Sequence, residues 1–132
     1  MNRVTARTHA MKLIYEWEMG GEGGEETRLN LLGAQPGEEE YAFMERMFQG
    51  VVENVAALDE SIEKNARGWK LERISKVDLA ILRLAAYEMS LGKTNENIVI
   101  SEAVEMARQY SGEKSPQFVH GVLGGISRSA AQ

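Results

Sequence analysis

The sequence predicts an all-α fold, a compact single-domain bundle of about seven helices, and three observations support it. Apolar residues recur at steps of three and four in successive segments, which is the period of an amphipathic helix. No segment alternates apolar and polar residues as a strand does, and glycine, proline and capping residues separate the helical segments. Because 132 residues with 43% hydrophobic content suit one core, we expect residues 1–132 to form a single domain.

The first helix is predicted over residues 5–19, with Thr5 as its cap. The apolar face of this helix comprises Ala6, Ala10, Leu13, Ile14 and Trp17. A glycine-rich run at 20–24 ends the helix, because each glycine costs about 0.8–1 kcal/mol relative to alanine. A short helix from Glu26 to Leu32 is predicted before the turn residues at 33–37.

A long central helix is predicted to begin at Glu38–Glu40, because negative charge is favourable at a helix N-terminus. Its apolar residues from Met44 to Ile62 form one long stripe. The next helix is predicted to begin after Ser75, which has Asp78 at the spacing of a capping box, and to end at Gly92.

Two further helices complete the predicted bundle. Asn97 is the predicted cap of the first, which keeps helical periodicity up to Gly112. Ser115 and Pro116 are predicted as the N-cap and first residue of the last helix. The apolar positions of that helix are Phe118, Val119, Val122, Leu123 and Ile126.

Composition excludes several classes of protein. The chain has no cysteine, so it forms no disulfide and offers no thiolate to a metal or a substrate. It has no apolar run near the ~18 residues of a membrane span and no signal-peptide pattern at its start, which predicts a cytoplasmic protein. The formal net charge of -5 argues against a protein that coats nucleic acid through an overall positive field, so any RNA contact must be local.

The candidate enzymatic motifs in the sequence are incomplete. Gly92-Lys93-Thr94 resembles the end of a phosphate-binding P-loop, but the position of the opening glycine holds Tyr87. His9 and His120 are far apart in sequence, so no metal-ligand spacing can be proposed. No motif organises a nucleophile with a base. The sequence therefore predicts a non-catalytic protein without a cofactor.

The first helix carries a local basic patch. Arg3 and Arg7 share one face near its start, with His9 and Lys12 nearby. Because cations at a helix N-terminus oppose the macrodipole, these arginines suit a phosphate ligand better than they suit the helix. A solvated N-terminus without a ligand is the alternative.

The start of the last helix predicts an anion site. The backbone N–H groups after Ser115 lie beside Lys114 and Gln117. Phe118 either stacks on an unpaired base or belongs to the core. Glycines within this helix indicate close packing or close approach of a ligand, and they are Gly121, Gly124 and Gly125.

Tyr15 and Met19 lie off the apolar face of the first helix and predict a surface for a partner. Asp78 is explained by its capping box, so a partner role there is additional. A protein-only helical adaptor or a homodimer that uses this surface remains an alternative to RNA binding.

Three stretches together resemble the NusB family: ARTHAMKLIYEWEM at 6–19, RISKVDLAILRLAAYEM at 73–89 and ISEAVEMARQYSGEKSPQFVHGVLG at 100–124. The resemblance implies a seven-helix, non-catalytic factor that binds the boxA element of nascent ribosomal RNA transcripts within the RNA polymerase antitermination complex. It also implies NusE, a ribosomal small-subunit protein, as the partner. The implied RNA surface combines the basic patch with the start of the last helix: Arg3, Arg7, Lys114, Ser115, Gln117, Phe118 and His120. The implied NusE surface includes Tyr15, Met19 and Asp78.

Two departures from the family pattern matter. Relatives often have a denser N-terminal arginine cluster, and they commonly have asparagine where this chain has His120. Few phosphates would then be contacted, so we expect RNA affinity to depend strongly on the partner.

Overall fold

The computed structural model describes residues 2–21 and 39–130, and this part of the chain is helical. The described helices are α1 (Arg3–Glu18), α2 (Glu39–Glu53), α3 (Val55–Asn65), α4 (Lys76–Leu91), α5 (Glu96–Tyr110) and α6 (Ser115–Ala130), with a 3-10 turn at Leu71–Arg73. The all-α prediction is confirmed. The short helix predicted from Glu26 to Leu32 lies outside the described residues. No described helix is both long enough and apolar enough to cross a membrane.

Helix α4 is the centre of the bundle, because it packs against each of the other five described helices. Its sequence is apolar on nearly all sides, as expected of a helix enclosed by others. Leu79, Ile81, Leu82 and Leu84 are at most 1% exposed. Because α4 is buried in this way, it sets the positions of the helices that carry the surface residues.

The predicted long central helix is wrong, because α2 and α3 are separate helices that meet at Asn54. The Asn54 side chain donates to the carbonyl of Gly50 at 2.8 Å, a carbonyl that also accepts the Asn54 N–H at 3.1 Å. A side chain that competes for a helix carbonyl in this way favours a helix end. Gly50 also lets α2 approach α4 closely, since a Cβ there would lie 2.0 Å from the Tyr87 ring.

Two predicted caps are displaced by a few residues. Helix α1 is capped by Asn2, whose side chain accepts the Thr5 N–H at 2.8 Å, and Thr5 is therefore inside the helix. Helix α5 is capped by Asn95, which accepts the Asn97 N–H at 2.8 Å. Both errors have one cause: a capping side chain bonds an N–H two or three residues later, so the cap precedes the position that the pattern suggested.

The predicted ends of α4 are confirmed. Ser75 caps the helix by accepting the Asp78 N–H at 3.1 Å. Gly92 ends the helix in the left-handed conformation, with φ of 67°. That conformation favours glycine because a Cβ would be strained there.

Candidate nucleic-acid interface

In the basic patch predicted at the start of α1, Arg3 bonds to side chains of the same chain. The Nε of Arg3 donates to Glu40 Oε2 at 2.6 Å, and its Nη2 donates to Glu40 Oε1 at 3.2 Å. Its guanidinium also lies 4.0 Å from the centre of the Phe43 ring. The hydrogen bond from Arg3 lowers the pKa of Glu40, which keeps the carboxylate charged. Arg3 therefore holds α1 against α2.

Arg7 is buried, which corrects its prediction as a phosphate contact. Its side chain is 7% exposed and its Nε and Nη2 donate to the two carboxylate oxygens of Glu88 at 2.9 and 2.8 Å. The hydrogen bond with Glu88 raises the pKa of Arg7 further. The prediction failed because the partner charge lies on α4, and a helical pattern does not reveal which helix packs alongside.

His9 and Lys12 complete the predicted patch. The Nδ1 atom of His9 is buried, and within the described residues it has no hydrogen-bond partner. Burial is the main cause of a lowered pKa of His9, and the charge of Lys12 adds to it. Lys12 Nζ lies 5.2 Å from the centre of the Tyr110 ring, a cation–π contact between α1 and α5. This part of the surface is thus much less cationic than its sequence suggests.

The loop before α6 is held by a buried carboxylate. Asp78 is 7% exposed, and its Oδ1 accepts the Ser111 hydroxyl at 2.6 Å while its Oδ2 accepts the Ser115 hydroxyl at 2.9 Å. Helix α6 begins at Ser115, so this residue is the first of the helix and not its N-cap as predicted, and its hydroxyl bonds to α4. The capping box also explains less of Asp78 than predicted, because the carboxylate bonds to these serines.

Phe118 and Trp69 form the walls of a cavity. Phe118 is half-buried and packs against the core, while its ring meets Trp69 edge-on at a centroid distance of 6.2 Å. Trp69 is 52% exposed. The cavity has a volume of about 270 Å³. We call it the Trp69 cleft, and its lining residues are Trp69, Arg73, Ile74, Ser75, Asp78, Lys114, Ser115 and Phe118.

A second concavity of about 330 Å³ is also lined by these two rings. Gln117 and Gly121 line it together with Trp69 and Phe118. A Cβ on Gly121 would meet no atom within 4 Å, whereas a Cβ on Gly125 would lie 2.6 Å from Asn65 Oδ1. The glycines of α6 thus differ: Gly125 allows close helix packing, and Gly121 leaves open space beside the exposed rings.

Exposed cations surround Trp69. Arg67, Lys70, Arg73 and Lys114 all line one of the hollows around this ring, and all are exposed. In the described part of the chain, ion pairs engage other arginines, for instance Arg83 with Asp59 and Glu18, and leave these four cations free of carboxylates. An aromatic ring among cations can stack on a base and contact the flanking phosphates.

Sequence reasoning missed the Trp69 side of this surface. The segment at 67–73 reads RGWKLER, in which cations alternate with a tryptophan and a single carboxylate, Glu72, interrupts them. Interleaved cations and aromatic residues are typical of single-strand binding, so this signal was available. Gly68, with φ of 82°, reverses the chain there and presents Trp69 beside Phe118.

His120 lies apart from the Trp69 cleft. It lines a groove on the outer side of α5 and α6 with Ile100, Glu102, Glu105 and Arg108 among its neighbours. Successive helix residues turn by about 100°, so positions 118 and 120 point in nearly opposite directions. The structure therefore does not bring His120 together with Lys114 and Phe118.

Tyr15 and Met19 are exposed at the end of α1, by 36% and 57%. Trp17, between them in sequence, packs against the core and lies 5.9 Å from the Arg83 guanidinium. Tyr15 and Met19 are thus exposed, as a surface that contacts a partner requires. Asp78 differs from Tyr15 and Met19 because its side chain is buried.

Comparisons with known proteins agree across the chain. The model of the NusB family matches residues 4–128. A Clostridium botulinum transcription antitermination protein NusB is 40% identical over 140 residues, which cover 94% of this chain and 98% of that protein. The structure of T. maritima NusB superimposes with a TM-score of 0.86 at 29% identity, covering 97% and 92% of the two chains. A crystal structure of antitermination factors NusB and NusE in complex with dsRNA gives a TM-score of 0.84 at 25% identity, covering 96% of each chain.

Proposed function

This chain belongs to the NusB family, and from that premise we propose that it is a transcription antitermination factor that binds boxA-type RNA of nascent ribosomal RNA transcripts together with NusE. It acts by binding, without catalysis, as part of the RNA polymerase antitermination complex. Because nascent transcripts are its ligand, its place of action is the cytoplasm. The whole described bundle serves as one RNA-binding domain.

The observation that carries the proposal is the exposed Trp69 ring beside Phe118, with free cations around both. Single-stranded RNA is recognised chiefly through unstacked bases placed on aromatic side chains, with the backbone phosphates held by lysine and arginine. Lys114 and Gln117 extend this surface along the first turn of α6. The local positive charge accounts for RNA binding by a chain with a net charge of -5.

NusE supplies the RNA affinity that the N-terminal arginines do not provide. Arg3 and Arg7 already have carboxylate partners, so fewer cations remain for phosphates than the sequence suggests. We therefore expect weak RNA affinity for the isolated chain and a marked gain with NusE. Tyr15 and Met19 are the proposed NusE contacts, because large exposed apolar side chains are common anchors of protein interfaces.

The experiment is a titration of a fluorescent boxA-type strand, its scrambled counterpart and its duplex, each with and without NusE. We expect the boxA strand with NusE to bind most tightly. Trp69→Ala should weaken binding roughly 5- to 150-fold, the range for losing one stacked base. Ile98→Ala is the matched control, because Ile98 is a similarly exposed apolar residue, 51%, at the start of α5. Equal affinity for boxA and scrambled strands under all conditions would refute the proposal.

A protein-only adaptor is the second candidate, and the exposure of Tyr15 and Met19 favours it. This candidate predicts NusE binding or self-association that Tyr15→Ser and Met19→Ser abolish, with no preference among RNA strands. Sedimentation of the chain alone and with NusE separates a homodimer from a hetero-complex. RNA preference in the titration above decides between the two candidates.

A further inference from the structure

The side chain of Asp78 links the start of α4 to the segment where α5 connects to α6. It lies in the first turn of α4, where its backbone N–H is bonded to Ser75. Its two oxygens accept hydroxyl hydrogens from Ser111 and Ser115 at 2.6 and 2.9 Å, and the two serine oxygens lie 2.9 Å from each other. Ser111 is the first residue of the connection between α5 and α6, and Ser115 is the first residue of α6, directly after the connection. One buried carboxylate therefore closes this connection at both ends.

The same carboxylate links the two walls of the Trp69 cleft. One wall comes from the chain just before α4 and includes Trp69 and Arg73. The other wall comes from the connection and the first turn of α6, and it includes Lys114 and Phe118. Asp78 is a few residues from the first wall along the chain, and its hydrogen bonds hold the second wall through Ser111 and Ser115.

We infer that Asp78 is a positioning residue that fixes the width of the Trp69 cleft and so sets RNA affinity. Asp78 lines the cleft but is only 7% exposed, and both of its carboxylate oxygens already have hydroxyl donors, so its effect on RNA affinity acts through the two serines. This inference rests on the proposed function. The prediction that Asp78 belongs to the NusE surface is a separate one, and the test below distinguishes the two roles.

The physical basis is preorganisation. Flexible side chains and loops that must be ordered on binding reduce affinity, and a loop that is already fixed avoids that cost. Asp78→Asn keeps the shape of the side chain but leaves one accepting oxygen, so one serine loses its acceptor. The connection then becomes more mobile, and Lys114 and Phe118 no longer face Trp69 in a single arrangement.

The test compares three variants with the wild type: Asp78→Asn, the double variant Ser111→Ala/Ser115→Ala, and the combination of all three substitutions. We expect RNA affinity with NusE present to fall about tenfold in each. The combined variant should be no weaker than either parent, because both remove one shared set of bonds. Affinity for NusE alone should remain within twofold, because the exposed end of α1 is unchanged.

Ser127→Ala is the matched control. The Ser127 hydroxyl donates to Glu96 at 2.6 Å and joins the same two helices, α5 and α6, at the opposite end from the cleft. We expect this variant to bind RNA as the wild type does. Hydrogen exchange measures whether the connection is held in one arrangement. The amides of 111–115 should exchange faster in free Asp78→Asn and regain wild-type protection when RNA binds.

Specific results would overturn the inference. Unchanged RNA affinity of Asp78→Asn, in a protein whose 111–115 amides exchange faster, would show that the connection does not set affinity. A loss of NusE affinity alone would return Asp78 to the partner surface. If Asp78→Asn fails to fold, the serine double variant decides by the same criteria. Failure of wild-type RNA binding would instead refute the proposed function, and the two failures are thereby distinguished.

Discussion

The guanidinium of Arg7 and the carboxylate of Glu88 form a two-point ion pair between α1 and α4, with N–O distances of 2.9 and 2.8 Å and side chains 7% and 3% exposed. Each charge is removed from water and has the other as its partner. Such a pair contributes little net stability relative to apolar side chains, but its partial removal is costly. Arg7 therefore belongs to the interior of the bundle, although its position near the N-terminus suggested a surface role.

Arg7→Met is expected to reduce the free energy of unfolding by about 3–5 kcal/mol, because it leaves Glu88 charged, buried and unpaired. Arg7→Met/Glu88→Leu should recover most of that loss, since the apolar pair has no charge to desolvate. Urea unfolding followed by circular dichroism measures both. Wild-type stability of Arg7→Met together with a loss of RNA affinity would instead support the surface role.

Replacing a cation of the Trp69 cleft should change the salt dependence of RNA binding. Arg73→Gln and Lys114→Gln should each lower the slope of log K against log salt by about 0.7, the value for one phosphate of a single strand. Lys93→Gln is the control, because Lys93 is exposed just after the opposite end of α4. An unchanged slope for both cleft variants would contradict phosphate contact there.

Alanine at two glycines of α6 should change stability in opposite directions. Gly121→Ala meets no atom within 4 Å and should add about 0.8–1 kcal/mol through helix propensity alone. Gly125→Ala places a Cβ 2.6 Å from Asn65 Oδ1, on a side chain that donates to the Ser61 carbonyl at 2.8 Å. Overpacking of this kind costs about 1–3 kcal/mol, so a net loss is expected. Urea midpoints of the pair test this, and a gain at Gly125 would be inconsistent with the close packing.

His9 should make stability fall as the pH falls below neutrality. Burial lowers the folded-state pKa of His9 beneath its ordinary value of 6.5, so the unfolded chain takes up a proton first. The stability is fully present above pH 6.5 and is lost as the pH drops from there toward the folded pKa. His9→Gln should remove this part of the pH dependence in unfolding measurements between pH 7.5 and 5, as expected from the ordinary histidine range.

Lys12→Gln is the companion variant for His9. The charge of Lys12 contributes less than burial to the lowered pKa, so this substitution should weaken the pH dependence without abolishing it. A profile that His9→Gln leaves unaltered would show that other groups cause the acid sensitivity.

The sequence alone determined the helical class and the ends of α4, because apolar periodicity, a serine cap and a closing glycine are local signals. It also determined the family, through three blocks that span most of the chain. Local signals failed at Asn54, where a side chain competes for a helix carbonyl within a continuous apolar stripe. No pattern of spacing distinguished that position from the helical residues around it.

Tertiary structure decided which polar groups are occupied and which are free. Arg7 is bonded to Glu88, and Asp78 to Ser111 and Ser115, so charges that looked available in sequence are part of the interior. Trp69 meets Phe118 edge-on, and both rings line a cleft that neither segment forms by itself. The reason is that periodicity fixes the face a residue occupies on its own helix, whereas its partner depends on which helices pack together.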